Sequence, residues 1–228
     1  MAIFLDTSNL DDIKKYHKMG IIRGVTTNPT IIAKTGKISN LGEMKNYLIE
    51  IANFIQPLPL SVEVTTNQLD EMLKQATEFS KWSDNINVKI TIHGPNGEDE
   101  NLALIHELEK THKIKTNVTA MMSAQQCFLA SLAGATYVSL FGGRINNMGY
   151  NAIIEIQKLR KLLDDFNLNS KIIVGSTREA INVVEWLHAG AHIVTCTPNF
   201  LNQMIVHPYS KETVKMFLED GKKINLKN

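Results

Sequence analysis

Short runs rich in β-branched residues alternate with longer amphipathic stretches from one end of the chain to the other. The runs are IFLD (3–6), GVTT (24–27), SVEV (61–64), INVKI (86–90), IKTNVT (114–119), TYVSLF (136–141), KIIVGS (171–176) and HIVTC (192–196), eight in all. Between them apolar side chains recur at spacings of three and four, as in Leu69, Met72, Leu73 and Ala76, or Ile153, Ile156, Leu159, Leu162 and Leu163. Each such stretch predicts a helix with one apolar face and one charged face. Several of the short runs are nearly continuous Val and Ile, the pattern of parallel strands covered by helices. Eight strict repeats of strand and helix predict an α/β fold, a (β/α)8 TIM barrel.

Local signals sharpen the boundaries. Ser8 or Asn9 can cap a helix whose first turn carries Asp11 and Asp12, and Ser123 can cap the helix that runs through Gln125 and Leu129. Gly20, Gly134 and Gly190 fall where helices give way to strands, positions that favour a residue free to adopt positive φ. After the eighth strand the pattern adds a C-terminal helix over about 210–224, with Val214, Phe217 and Leu218 on one side. That extra helix either folds back on the barrel or reaches a neighbouring subunit, and a homo-oligomer is expected. No linker, low-complexity tract or long charge run interrupts the chain, so residues 1–228 are read as one domain.

Composition narrows the function by exclusion. The 228 residues carry 24 Lys and Arg against 23 Asp and Glu, which gives no general attraction to nucleic acid or to an anionic membrane. An anionic ligand therefore needs a local site. No window approaches the ~20 apolar residues of a membrane helix, and the start has no leader pattern, so the protein is read as cytoplasmic. Cys127 and Cys196 lie in apolar runs without CxxC spacing and are read as reduced core residues. The seven histidines show no HxxxH spacing, so a metal site is not expected. His106 and His112 fall on a solvated helix and its exit. His93 alone, on the polar loop HGPNGEDEN (93–101) after the fourth strand, is placed to approach a substrate.

In this fold reactive groups gather at the C-terminal ends of the strands. Nearly every strand here ends in a residue that an apolar core would reject: Asp6, Thr26 and Asn28, Glu63, Lys89, Asn117 and Thr119, Ser139, Ser176 and Thr195. Lys89 stands between Val88 and Ile90. A buried lysine that loses its proton is a nucleophilic amine able to condense with a ketone. The ordinary alternatives are a head group that snorkels out of the strand end or a buried ion pair with Glu63. Arg144, Ser176 and Arg178, with the Gly142-Gly143 backbone, suit a phosphate monoester. Their ordinary alternative is incidental pairing with surface acids such as Glu179.

Over almost its whole length the chain resembles the transaldolases, particularly the short subfamily that also contains the fructose-6-phosphate aldolases. FLDTSNLDDIKK, GIIRGVTTNPTIIAK, VEV, NVKI, KTNVTAMMSAQQ, AGATYVSLFGGR, GSTREA, AGAHIVT and NFLNQMIVHPYSKETVKMFLEDG follow the family's order and spacing. The resemblance implies that Lys89 forms a Schiff base, that Asp6 is its acid/base partner, and that Glu63 and Thr119 hold the water that carries protons. It implies that Asn28 and Asn117 bind the dihydroxyacetone moiety, with Thr26 among the substrate-binding group. Arg144, Ser176 and Arg178 would bind the sugar phosphate, while Ser139 and Phe141 line the donor end.

The aldolases of the subfamily typically carry glutamine and tyrosine where this chain has Glu63 and Phe141, so both positions, with Asn117, resemble a transaldolase. The implied reaction moves a dihydroxyacetone unit from fructose 6-phosphate or sedoheptulose 7-phosphate to an aldose phosphate, in the pentose phosphate pathway. KIT replaces the usual KIP, Ala120 stands for a bulkier residue, SLFGGR replaces SPFVGR, and INN follows where acids are frequent. Leu140 and Gly142 are accordingly expected to alter the wall beside the phosphate site. Alternative readings are a free fructose-6-phosphate aldolase, a transaldolase specialised for an unusual sugar, and a non-catalytic barrel that binds sugar phosphates.

Overall fold

A computed structural model describes residues 2–34, 36, 38 and 40–224, so both ends of the expected 1–228 domain lie outside the described residues. Eight parallel strands close in sequence order: β1 (Ile3–Asp6), β2 (Val25–Thr26), β3 (Leu60–Glu63), β4 (Ile86–Thr91), β5 (Thr116–Met121), β6 (Tyr137–Leu140), β7 (Lys171–Val174) and β8 (Ile193–Cys196). Closure is made by β8 against β1, with Val194 opposite Ile3 and Cys196 opposite Leu5. The helices are α1 (Leu10–Lys18), α2 (Pro29–Ala33), α3 (Leu41–Ile55), α4 (Leu69–Ser80), α5 (Asn101–Lys110), α6 (Ala124–Ala133), α7 (Gly142–Asn147), α8 (Ala152–Asp165), α9 (Ile181–His188), α10 (Pro198–Ile205) and α11 (Pro208–Lys223). Short α2 and α7 sit in the loops that follow β2 and β6. The arrangement is the (β/α)8 barrel that the repeat predicts.

Side chains alternate in direction along each strand. One set, including Leu5, Val62, Val88, Val118, Leu140, Val174 and Val194, faces the helices and joins Ile13, Leu48, Met72, Leu108, Leu159 and Trp186 in the main core. Burial of each such side chain is worth roughly 1.5–3 kcal/mol. The other set fills the barrel. Near the strand starts it forms a separate apolar plug of Phe4, Tyr137, Ile173 and Ile193. The Phe4 and Tyr137 rings meet edge to face, with centroids 6.3 Å apart. Above the plug the same alternation brings polar residues inward. The barrel interior is therefore layered, apolar below and polar above, which the Val and Ile content alone did not distinguish.

Asn9 makes the first cap, its Oδ1 accepting from the N–H groups of Asp11 and Asp12, and Ser123 caps α6 by accepting from the Gln126 N–H. Gly20, Gly134 and Gly190 all have positive φ. Only β1 keeps its expected bounds, and three of the departures have a visible local cause. β2 is two residues long because only Val25 and Thr26 pair on both sides. β5 starts at Thr116, since Lys113 is left-handed and the Ile114 N–H still bonds to the Leu108 carbonyl of α5. β7 ends at Val174, where Ser176 turns into the left-handed region. The last helix begins at Pro208, a residue preorganised for the first helical turn. It does not fold back on the barrel: none of its residues is buried. Among the described residues no helix is long and apolar enough to cross a membrane.

Candidate active site

Lys89 occupies the middle of the polar layer and is 6% exposed. Its Nζ donates to the Thr27 carbonyl at 2.9 Å and pairs with Glu63 Oε2 at 3.0 Å. The β3–β4 register sets this up, because Glu63 lies directly opposite Lys89 on the adjacent strand. Of the ordinary alternatives, the buried ion pair with Glu63 is present, and the snorkelling lysine is not. Such a pair does not exclude chemistry, since a lysine and a carboxylate 3.0 Å apart can exchange a proton without separating charge over any distance.

Asp6 ends β1 and accepts a 2.7 Å hydrogen bond from Thr26 Oγ1. The same threonine oxygen lies 2.6 Å from Thr195 Oγ1, so three strands, β8, β1 and β2, meet in one chain of polar groups. Burial raises the Asp6 carboxyl above its ordinary value, against the opposing pull of the Thr26 hydroxyl and the Lys89 charge; the nearby Glu63 pushes it further up. A carboxyl so placed is poised to take up a proton and to return it.

Asn117 is fully buried and held from both sides. Its Nδ2 donates to Ser61 Oγ at 3.0 Å, and its Oδ1 accepts from Ser139 Oγ at 2.6 Å. One amide proton is left to point elsewhere. Ser61 is the residue that sequence reasoning passes over. Its signal was available, since Ser61 stands two before Glu63 and shares its inward direction. Thr119 lies two residues above Asn117 on the same inward side; its Oγ1 is buried and has no hydrogen-bond partner among the described residues. Asn28 is partly engaged as the cap of α2, with Oδ1 accepting from the Ile31 N–H at 2.9 Å, which leaves its amide protons unassigned to that cap.

The loops after β6 and β7 meet at Gly143. A Cβ at that position would run into the Ser176 carbonyl oxygen and the Arg178 side chain, so only glycine allows the approach. Ser176 itself has φ +60°, a costly conformation for a residue with a side chain. Arg144, on α7, lies over the Phe141 ring with its guanidinium carbon 5.4 Å from the centroid. Both Arg144 and Arg178 are exposed, and neither has a carboxylate within ion-pair distance among the described residues. Pairing with Glu179, the ordinary alternative, is absent from this arrangement.

Three sequence expectations are placed differently. Leu140 is fully buried in the helix-facing core, and a Cβ on Gly142 would meet Trp186 and Val174, so both departures from the family pattern face that core. His93 turns its Nδ1 to the carbonyl of Gly94 at 2.7 Å and is tied to its own loop. Cys127 and Cys196 are buried free thiols, and burial pushes Cys196 up to about 12.

The sequence profile described as transaldolase/fructose-6-phosphate aldolase matches residues 3–228. A protein of Carboxydothermus hydrogenoformans called "Probable transaldolase" is 39% identical over 220 residues, 96% of this chain and 97% of that one. A protein of the same description from Clostridium tetani is 38% identical over 225 residues, 99% of this chain and 100% of its own. Among solved structures, a "putative deoxyribose-phosphate aldolase" of Coccidioides immitis superposes with a TM-score of 0.62 at 14% identity, covering 90% of this chain and 85% of that one, which is a likeness of fold alone. The profile match and the full-length identities together establish that the chain belongs to the transaldolase/fructose-6-phosphate aldolase family.

Proposed function

We propose that this enzyme is a transaldolase that carries a dihydroxyacetone unit from fructose 6-phosphate or sedoheptulose 7-phosphate to an aldose phosphate through a Schiff base on Lys89. The observation that carries the reading is the buried Lys89–Glu63 pair inside a polar layer that also holds Asp6. Proton transfer to Glu63 frees the Lys89 amine, which attacks the ketose carbonyl. The carbonyl oxygen leaves as water, with the unpartnered Thr119 hydroxyl and Glu63 as its hydrogen-bonding groups, and an iminium remains. Asp6 takes the proton of the C4 hydroxyl, the C3–C4 bond breaks, and its electron pair flows into the iminium to give an enamine. The first aldose departs. The enamine carbon then attacks the aldehyde of the acceptor while Asp6 returns the proton, and water releases the new ketose. The free amide protons of Asn28 and Asn117 suit the hydroxyls of the three-carbon unit, with Thr26 and Ser139 holding Asp6 and Asn117 in position. The unpaired Arg144 and Arg178, with Ser176, suit the phosphate.

A second reading, free aldol cleavage with release of dihydroxyacetone, is disfavoured by Phe141, whose ring lies under Arg144 and has no hydroxyl with which to protonate the enamine. Borohydride reduction of the protein mixed with fructose 6-phosphate is expected to leave a three-carbon adduct on Lys89, read by peptide mass, and Lys89→Ala is expected to show none while keeping its fold. Substantial activity in folded Lys89→Ala would end this reading. Release of dihydroxyacetone without an acceptor would favour the second. We place the reaction in the cytoplasm, in keeping with two free thiols, and propose that copies of the chain associate through α11, whose Val214, Phe217 and Leu218 are each more than half exposed.

A further inference from the structure

At the end of the barrel opposite the polar layer, below the plug, a cavity of about 430 Å³ opens at the N-terminal ends of β3 to β6. That size suits a small molecule. Asn87 forms its inner wall, is 3% exposed, and has an amide with no hydrogen-bond partner among the described residues. Pairing of Val88 with Thr116 sets Lys115 beside Asn87 on the neighbouring strand, and Tyr137 follows on β6. The Lys115 ammonium has no carboxylate within ion-pair distance among the described residues. The turn leading into β4 brings groups of the opposite character. Asn85 donates through Nδ2 to the Ala52 and Leu58 carbonyls at 2.9 and 2.7 Å, which fixes its amide. Its Oδ1 is buried without a partner among the described residues. Asp84 lines the same cavity and makes no ion pair with Lys115. Pro57 and Pro59 supply an apolar wall.

Lys115 and Asn87 bring a cation and an amide to this lining, and Asp84 and Asn85 bring a carboxylate and an orphaned acceptor; such a set is not satisfied by a simple anion, which would meet Asp84, nor by a neutral polyol, which would leave both charges unmatched. We infer that this cavity binds a small zwitterion of the free amino-acid class, with its ammonium toward Asp84 and Asn85 Oδ1 and its carboxylate toward Lys115 and Asn87. The plug of Phe4, Tyr137, Ile173 and Ile193 separates this site from Lys89. The inference is independent of the proposed reaction.

Calorimetric titration of the full chain with each common amino acid, and with inorganic phosphate and glycerol as comparison probes, tests it. At least one amino acid is expected to bind saturably. Lys115→Met and Asp84→Asn, both at exposed positions and checked for fold by circular dichroism, are expected to weaken that binding by about tenfold, the effect of one lost charge-assisted hydrogen bond. Lys89→Ala is expected to bind as the unaltered protein does. No binding by any amino acid, binding unchanged in both cavity variants, or equal binding of phosphate or glycerol at the cavity would each overturn the inference.

Discussion

Asp6 shows how a single side chain trades stability for chemistry. Its folded carboxyl titrates above the ordinary value of 3.8 because burial penalises the charged form. The folded state therefore holds the proton more tightly than the unfolded chain, and ionisation opposes folding as the pH rises through the folded value. Asp6→Asn should melt at a higher temperature than the unaltered protein at neutral pH, with the difference closing as the pH falls below 3.8. On the proposed chemistry the same variant should lose about 10²- to 10⁴-fold in turnover. A lower melting temperature at neutral pH would show that the Thr26 and Lys89 contacts outweigh burial. Much of this residue-level picture is legible in one dimension, because strand alternation alone points Asp6, Glu63, Lys89, Asn117, Thr119 and Ser139 inward. The same rule applied to Leu140 points it outward, although its place in the family pattern suggested the wall beside the phosphate site. The bond between Thr26 and Thr195 is of another kind. It joins positions 169 residues apart and exists only because the barrel closes.

At the scale of elements, the site is built by where short pieces begin. Asn28 starts α2 and Phe141 precedes α7, so each delivers a side chain at the mouth of the barrel while its backbone turns away. At the first position of α7, Gly142 is packed against Trp186 of α9 and Val174 of β7, with 2.8 Å between each and a Cβ built there. Gly142→Ala is expected to destabilise the fold by about 1–3 kcal/mol, as overpacking does. Urea denaturation measures this, and adding Trp186→Phe should recover part of the loss. A neutral Gly142→Ala would mean that α7 can shift freely. Helix starts were readable from Asn9 and Ser123, whose side chains satisfy the first free N–H groups of α1 and α6. Strand ends were less so, because left-handed residues such as Lys113 and Ser176 carry no glycine to announce them.

For the whole molecule, the eightfold repeat made the closed sheet legible, whereas the setting of α11 was not, since its apolar face has no counterpart among the described residues. Val214, Phe217 and Leu218 would be costly to leave in water together with Met216 and Tyr209, all more than half exposed. The double change Phe217→Glu and Leu218→Glu is expected to lower the mass found by analytical ultracentrifugation without altering the helical signal; an unchanged mass would exclude α11 from the contact. The floor made by Phe4, Tyr137, Ile173 and Ile193 has a consequence for the order of events. It makes the barrel a cup and not a tube. Whatever reaches Lys89 enters over one rim and must leave over it. On the proposed chemistry the first sugar fragment has to vacate that rim before the second arrives, so the alternation of departure and arrival is imposed by shape before affinity has any say.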